Sequence, residues 1–576
     1  MKKYEGFEFN PDLNRINTVW KFLTEKTDVE QQPVDPEKPY AAPHVGFFSP
    51  KITVNDKELD FTMYIPEDFQ PFGPGIMLFV PGGYTAEEYI VKFGWDKIAE
   101  KTKNCITAAY TRYPKWTDWE LNEALLYARE IYLRVGMRDY CCIDEAGYYM
   151  MGFEDGAYIA SVFSMLYSSL FPAGVFVNPP EIDEDLIRQI AAMPSDANHN
   201  KKKTQVPFSA WIVGENTQLV DYFRICCNAS DTALSSGTYT VYQQKLTATN
   251  YSTATDEIAE VRVSSSLESV APSYTDAVLE FIRFTNVFKW QPGVGEKYYR
   301  RFCSQEDLGM ERIDAQVGEY KRYFYVYVPS KYRMTYKPED TYPVVFGLHG
   351  VCTTGLEFAN ISQWTRIAEE KGIIMVYPTG YFRQFAGSMC PTSSWSYGPE
   401  DLEYFEFMVD YVKKNYPVDE SRIYLTGHSN GSGMAQALLR YRPDLFCAYA
   451  PIGLTEGDAG LAEQSTPYEH TCKRPVWLWK GEYDIGCAAD MSPESNNVAF
   501  LKNACALNGC SYDDARTYRN GLYETTSYYD AEHAPFVRFT NCLEMYHAFN
   551  PEMSKLIWDY FCHFRLNETG EVEYLG

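Results

Sequence analysis

Nowhere does this sequence string together about 18 apolar residues, so no membrane-spanning helix is expected. It has no C-x-x-C pair at metal-binding spacing. The adjacent pairs Cys141-Cys142 and Cys226-Cys227 are poor ligand geometry, so no metal is expected. Positive charge is short as well. The 52 Lys and Arg stand against 78 Asp and Glu, and the net charge of −26 would repel nucleic acid and anionic membrane alike. Behind Met1-Lys2-Lys3 there is no apolar core, so no secretory signal is read. The expectation is a cytoplasmic protein, or a secreted one if a signal has been trimmed. The 15 cysteines are odd in number. Most are expected to be buried thiols, with disulfides left open for Cys352, Cys390, Cys505 or Cys510.

What is present is a globular composition, 45% hydrophobic, in 576 residues, too many for one core. The most informative stretch is Gly427-His428-Ser429-Asn430-Gly431, a G-x-S-x-G. Ser421 to Thr426 before it reads as a strand, and Ser432 to Leu439 after it as a helix with small residues near the turn. A strand-to-helix turn this tight strains its central residue and exposes it above the sheet, which makes Ser429 the candidate nucleophile.

The two halves repeat one order of elements. The strand Tyr342 to Leu348, ending in His349-Gly350, has a counterpart in Gly75 to Val80, ending in Pro81-Gly82-Gly83. Helices over Trp364 to Lys371 and Trp95 to Lys101 follow, then strands Ile373 to Tyr377 and Cys105 to Tyr110, then helices Asp401 to Asn415 and Trp119 to Val135. The elbow has a twin in Tyr149 to Gly156, with Glu154 in the serine's place. Pro475 to Asp484 pairs with Pro207 to Thr217, and helices Pro551 to Phe564 and Thr275 to Phe284 close the halves. Alternating strands and helices predict an α/β chain of two doubly wound, mostly parallel sheets. The boundary is placed near Lys289 to Gly295, giving domains 1–290 and 291–576, with an exposed loop over Pro194 to Thr204. With Glu154, Thr217 at the acid position, and only His44 and His199, the first domain is read as catalytically dead.

Serine needs a base, and the base needs an acid to orient it. On elbows of this kind the order is Ser, Asp or Glu, then His. Of the later histidines, His547 sits after a strand-like run and before the last helix, where the base belongs. His563 falls within the final helix, His533 in a turn, and His470 ahead of a strand. Asp484, just past the strand Val476 to Trp479, is the candidate acid, with Glu482 and then Asp458 as rivals. The oxyanion calls for the N–H of Asn430 and that of Val351 or Cys352 after His349-Gly350. The His349 side chain is expected to support that loop rather than act as base.

The second half resembles the feruloyl esterase and polyhydroxybutyrate depolymerase group of α/β-hydrolases. The resemblance rests on Leu348 to Cys352, Ile374 to Pro378, Tyr416 to Asp419, the elbow, Gly481 to Asp484 and His547-Ala548-Phe549. It covers roughly residues 310–565, and 50–285 more faintly. It implies a carboxylic ester hydrolase acting through an acyl-enzyme on a small-molecule ester, without metal or organic cofactor. The family's second glycine after the elbow is Ser432 here. The same triad also suits an amidase, a peptidase or an acyltransferase, and a binding protein with a vestigial triad is the reading of another class. Aromatic segments at Tyr381 to Tyr397, with Trp395, and at Cys487 to Asn541 could overhang the site or simply pack. Aromatic content favours a hydroxycinnamate-like ester only weakly.

Overall fold

The structure, a computed structural model, describes residues 34–576 except 43, 70, 72, 137–139, 169, 195–201, 246–257, 267–280, 282–286, 289–297, 300–302, 331–339, 384–390, 462–465, 485–487, 544 and 546. The closing helix expected over Thr275 to Phe284, the boundary segment Lys289 to Gly295 and most of the loop Pro194 to Thr204 lie outside the described residues. The chain forms two compact units. The first comprises Met1–Lys289, Val294–Phe302 and Gln384–Pro391; the second comprises Trp290–Gly293, Cys303–Arg383 and Thr392–Gly576.

Each unit is α/β. The second is built on a ten-stranded sheet. Across it run Glu311–Val317, Tyr320–Tyr327, Ile374–Pro378, Tyr342–Leu348, Val418–His428, Ala448–Ile452, Val476–Gly481, Val537–Cys542, Tyr523–Tyr528 and Ala515–Asn520. The six strands from Ile374–Pro378 to Val537–Cys542 are parallel, and antiparallel pairs close both edges. Parallel strands are covered on both faces, which is why Tyr342–Leu348 and Ile374–Pro378 are buried at every position and read as unbroken apolar runs. The helix Pro399–Asn415 starts with proline at its first position and ends with Lys413 and Lys414 in its last turn, where cations suit the helix dipole. It buries Tyr404, Phe405, Met408, Val409 and Val412, one face at helical spacing.

The sheet of the first unit has the strand order Gly46–Phe48, Thr62–Ile65, Cys105–Ala109, Gly73–Phe79, Ile143–Phe153, Ala173–Val177, Ser209–Val213, Glu260–Ser264, Tyr239–Gln243, Leu234–Ser236. It too is parallel through the middle, from Cys105–Ala109 to Glu260–Ser264, and antiparallel at its edges. Its two faces carry separate cores. Met77 and Phe79 point into one, with helices Leu121–Gly136 and Asp155–Leu166; Ile76 and Leu78 point into the other, with Ala86–Phe93 and Trp95–Thr102. That alternation is the period of two of a strand sandwiched between helix layers.

Among the described residues there is no disulfide: Cys352, Cys505 and Cys510 remain thiols, and Cys390 is not among them. No described helix is long and apolar enough to cross a membrane. The last helix is shorter than expected. It ends at Phe561, and Phe564–Leu566 turns into a strand paired with Val572–Tyr574, so His563 lies past the helix.

Candidate active site

The strand Val418–His428 runs into Ser429, and the helix Asn430–Tyr441 begins at the next residue. Ser429 has φ 57° and ψ −120°, a strained conformation for a side-chain-bearing residue. Its N–H donates to the Ile452 carbonyl at 2.8 Å, which holds the turn to the neighbouring strand. The surrounding glycines are required by space. A Cβ on Gly427 would come within 2.3 Å of the Gly431 carbonyl oxygen, and one on Gly431 within 2.5 Å of that of His349. Ser432 is wholly buried, with its hydroxyl donating to the Leu454 carbonyl at 2.7 Å.

His547 Nδ1 lies 2.7 Å from Asp484 Oδ2. A buried carboxylate on Nδ1 keeps the proton there and leaves Nε2 as the basic nitrogen. The other histidines are differently placed. His470 Nε2 meets the Leu439 carbonyl at 2.8 Å, His563 Nδ1 meets Gly576, and His533 sits in an exposed turn. Asp458 is not the acid. Burial works to raise its pKa, but Lys480 at 2.6 Å and Asn496 at 2.6 Å outweigh that and hold the carboxyl below its usual range. Glu482 is exposed.

Gly453 links base and elbow. A Cβ there would lie 2.9 Å from His547 Cε1 and 3.6 Å from the Ser429 nitrogen. With φ 92° it also needs a conformation L side chains rarely adopt. Gly453→Ala is expected to push the imidazole aside. Displacements of about 1 Å cost on the order of 100-fold, so ester turnover should fall by about that factor, and kcat measured beside Tm will separate displacement from unfolding.

The loop after His349 touches the same place, since a Cβ on Gly350 would lie 3.2 Å from Ser429 Cβ. Asn430 N–H opens a helix and so has no helical acceptor. Among the described residues neither it nor the Val351 N–H meets an acceptor. Cys352 narrows the expectation. Its N–H donates to the Ser393 carbonyl at 2.9 Å, which leaves the Val351 N–H as the candidate second donor.

His349 supports the loop. Its Nε2 accepts from Gly380 N–H at 2.8 Å and its Nδ1 lies 2.6 Å from the Gly350 carbonyl. Burial pushes its pKa down to about 4, so the ring stays neutral. The unfolded chain, with an ordinary histidine near 6.5, binds that proton first. Stability from this group is therefore complete above about pH 6.5 and lost as pH falls toward 4, by about 3 kcal/mol. Denaturant midpoints across that window should drop, and drop less in His349→Gln.

Sequence reasoning missed the frame behind the loop. Trp395 Nε1 donates to the His349 carbonyl at 3.0 Å, and Trp395 N–H donates to Asn430 Oδ1 at 2.6 Å. Asn430 Nδ2 donates to Tyr397 Oη at 2.5 Å and to the Trp395 carbonyl at 3.3 Å. Ser396 next to them is held by Asp401, which pairs with Arg322 at 2.8 Å, both wholly buried. Trp395 is thus a buried strut and does not overhang the site. The tyrosines after Cys487 are largely in the edge strands: Tyr523 is buried on Glu552 and Asn550, and Tyr518 faces solvent. No spacing in the sequence signals the Asn430–Trp395 clamp. Tyr483, which sequence reasoning passed over, is 45% exposed and adjacent in the chain to Asp484.

Residues 316–482 match the "Esterase" family model, described as "Putative esterase". Among curated proteins the chain is similar to feruloyl esterase B of Talaromyces funiculosus, 29% identical over 22% of this chain and 34% of that one. It is also similar to poly(3-hydroxyalkanoate) depolymerase C of Paucimonas lemoignei, 31% identical over 23% of this chain and 32% of that one. The chain spans about half the length, or less, of the curated relatives it matches. Among solved structures, the acetyl xylan esterase from Aspergillus awamori aligns at 17% identity over 44% of this chain and 99% of that one, with a TM-score of 0.35. The matched segment holds the elbow, the loop after His349 and the strand before Asp484, and stops short of Asp484 and His547.

A turn of similar backbone conformation stands at Glu154 in the first unit. Glu154 has φ 51° and ψ −126°, and its Oε1 accepts from Asn178 Nδ2 at 2.8 Å. Thr217, at the place matched to Asp484, opens the helix Thr217–Cys226, capped by Asn216, and Glu215 precedes that cap.

Proposed function

We propose that the second unit is a serine carboxylic ester hydrolase working through an acyl-enzyme. The observation that carries this reading is the 2.7 Å contact of His547 with buried Asp484, next to a serine held at φ 57°. Ser429 Oγ attacks the ester carbonyl while His547 Nε2 takes its proton. Asp484 stabilises the imidazolium. The N–H groups of Asn430 and Val351 receive the oxyanion. His547 then protonates the departing alcohol and activates water to release the acid. These steps call on no metal or organic cofactor.

We also propose that residues 1–290 are a degenerate copy of 291–576. The common strand order and the retained elbow conformation at Glu154 support a duplication, and Glu154 with Thr217 supports loss of acyl transfer. The substrate is a small ester. The Tyr483 ring at the acid loop offers a face for an aromatic acyl group such as a hydroxycinnamate.

Matched substrates test the reaction class. Hydrolysis of 4-nitrophenyl acetate and of methyl ferulate, with acetyl 4-nitroanilide left intact, is the expected result. Faster cleavage of the anilide would move the protein to the amidases. Acyl transfer to an added alcohol in preference to water would make it a transferase.

A further inference from the structure

The residue after the elbow centre carries a second device. In the second unit it is Asn430 and in the first Asp155. The two positions correspond by several independent contacts. Leu348 pairs with Gly427 across the sheet as Phe79 pairs with Gly152. Trp395 Nε1 donates to the His349 carbonyl, and Trp116 Nε1 donates to that of Val80 at 2.7 Å. Trp395 N–H donates to Asn430, and Trp116 N–H donates to Asp155 Oδ2 at 2.7 Å. Val351 and Gly82 then occupy one position, each the third residue past the matched strand end. Each is followed by a residue of positive φ, Cys352 at 64° and Gly83 at 85°.

The difference lies in the remaining side-chain atom. Asp155 has a second carboxylate oxygen, and Oδ1 accepts from Gly82 N–H at 3.0 Å. The first unit therefore fills its own anion site with its own anion. Asn430 cannot do this. Its one oxygen is held by Trp395, and its NH₂ donates to the Trp395 carbonyl and to Tyr397 Oη. We infer that Asn430 is a positioning residue whose side-chain amide keeps the Val351 N–H open to the substrate oxyanion, and that a carboxylate at this position closes the site. This rests on the esterase reading given above.

Asn430→Asp is nearly isosteric and keeps the acceptor for Trp395 N–H, so a purely structural role makes it the mild variant and Asn430→Ala the harsh one. The inference predicts the opposite order. Asn430→Asp should lose about 100- to 1000-fold in kcat, the effect of losing one oxyanion donor, with KM little changed. Asn430→Ala should lose less, because its Val351 N–H stays open. Equal losses, or a larger loss in Asn430→Ala at comparable Tm, would overturn the inference. An activity-independent readout separates this from failure of the esterase reading. Hydrogen exchange followed by mass spectrometry should show the segment His349 to Cys352 exchanging more slowly in Asn430→Asp than in wild type, and the segment Pro81 to Gly83 exchanging faster in Asp155→Asn. If neither segment changes, the side chain does not control these amides, whatever the wild type hydrolyses.

Discussion

Ser429→Ala is expected to abolish ester turnover, a loss of about six orders of magnitude in kcat of the size seen when a triad serine is removed, with Tm unchanged. The reason is local. Alanine keeps the Cβ and the backbone of φ 57° that the elbow already accommodates, and removes only the atom that forms the acyl-enzyme. The Ser429 N–H bond to Ile452 and the glycines packed at 427 and 431 do not depend on the hydroxyl. A stopped assay on 4-nitrophenyl acetate, read against buffer hydrolysis, checks this. Turnover within tenfold of wild type would mean that another group attacks.

Asp484→Asn is the second large effect. The Asp484 carboxylate accepts the His547 Nδ1 proton at 2.7 Å and carries the charge that balances an imidazolium. An amide removes that charge and can offer its NH₂ to the ring, which moves the ring proton to Nε2 and leaves no base facing the serine. Such a change costs about 10⁴ in kcat, or roughly 5.4 kcal/mol of transition-state stabilisation. Glu482→Gln is the control. Exposed, while Asp484 is the carboxylate on His547 Nδ1, it should change kcat by no more than a few-fold. If the losses are reversed between the two variants, the acid is Glu482.

The parts legible in the sequence were those written in local pattern. Tyr342–Leu348 and Ile374–Pro378 are apolar at nearly every position because both faces of a parallel strand are covered. The elbow was visible because three backbones meet at Gly427 and Gly431 with no room for a side chain. His547 stands out as a candidate by its place ahead of a helix that Asn550 caps and Pro551 begins. The parts that were not legible depend on pairings between distant segments. Nothing in Val351-Cys352 says which amide Ser393 will take, and that pairing occupies the Cys352 N–H. The sequence leaves Trp395 either overhanging the site or packing, and its indole on the His349 carbonyl decides for packing. Asn430 carried a backbone role in the sequence, and its side-chain role emerged only beside Asp155.

The central claim, that Ser429 is the activated nucleophile of an acyl-transfer site, is tested most directly by treating the full chain with a fluorophosphonate and mapping the adduct by peptide mass spectrometry. The account predicts one stoichiometric adduct, on Ser429, absent from Ser429→Ala and strongly slowed in Asp484→Asn. An adduct on a different residue, or ester turnover by a chain that Ser429 labelling never touches, would contradict it.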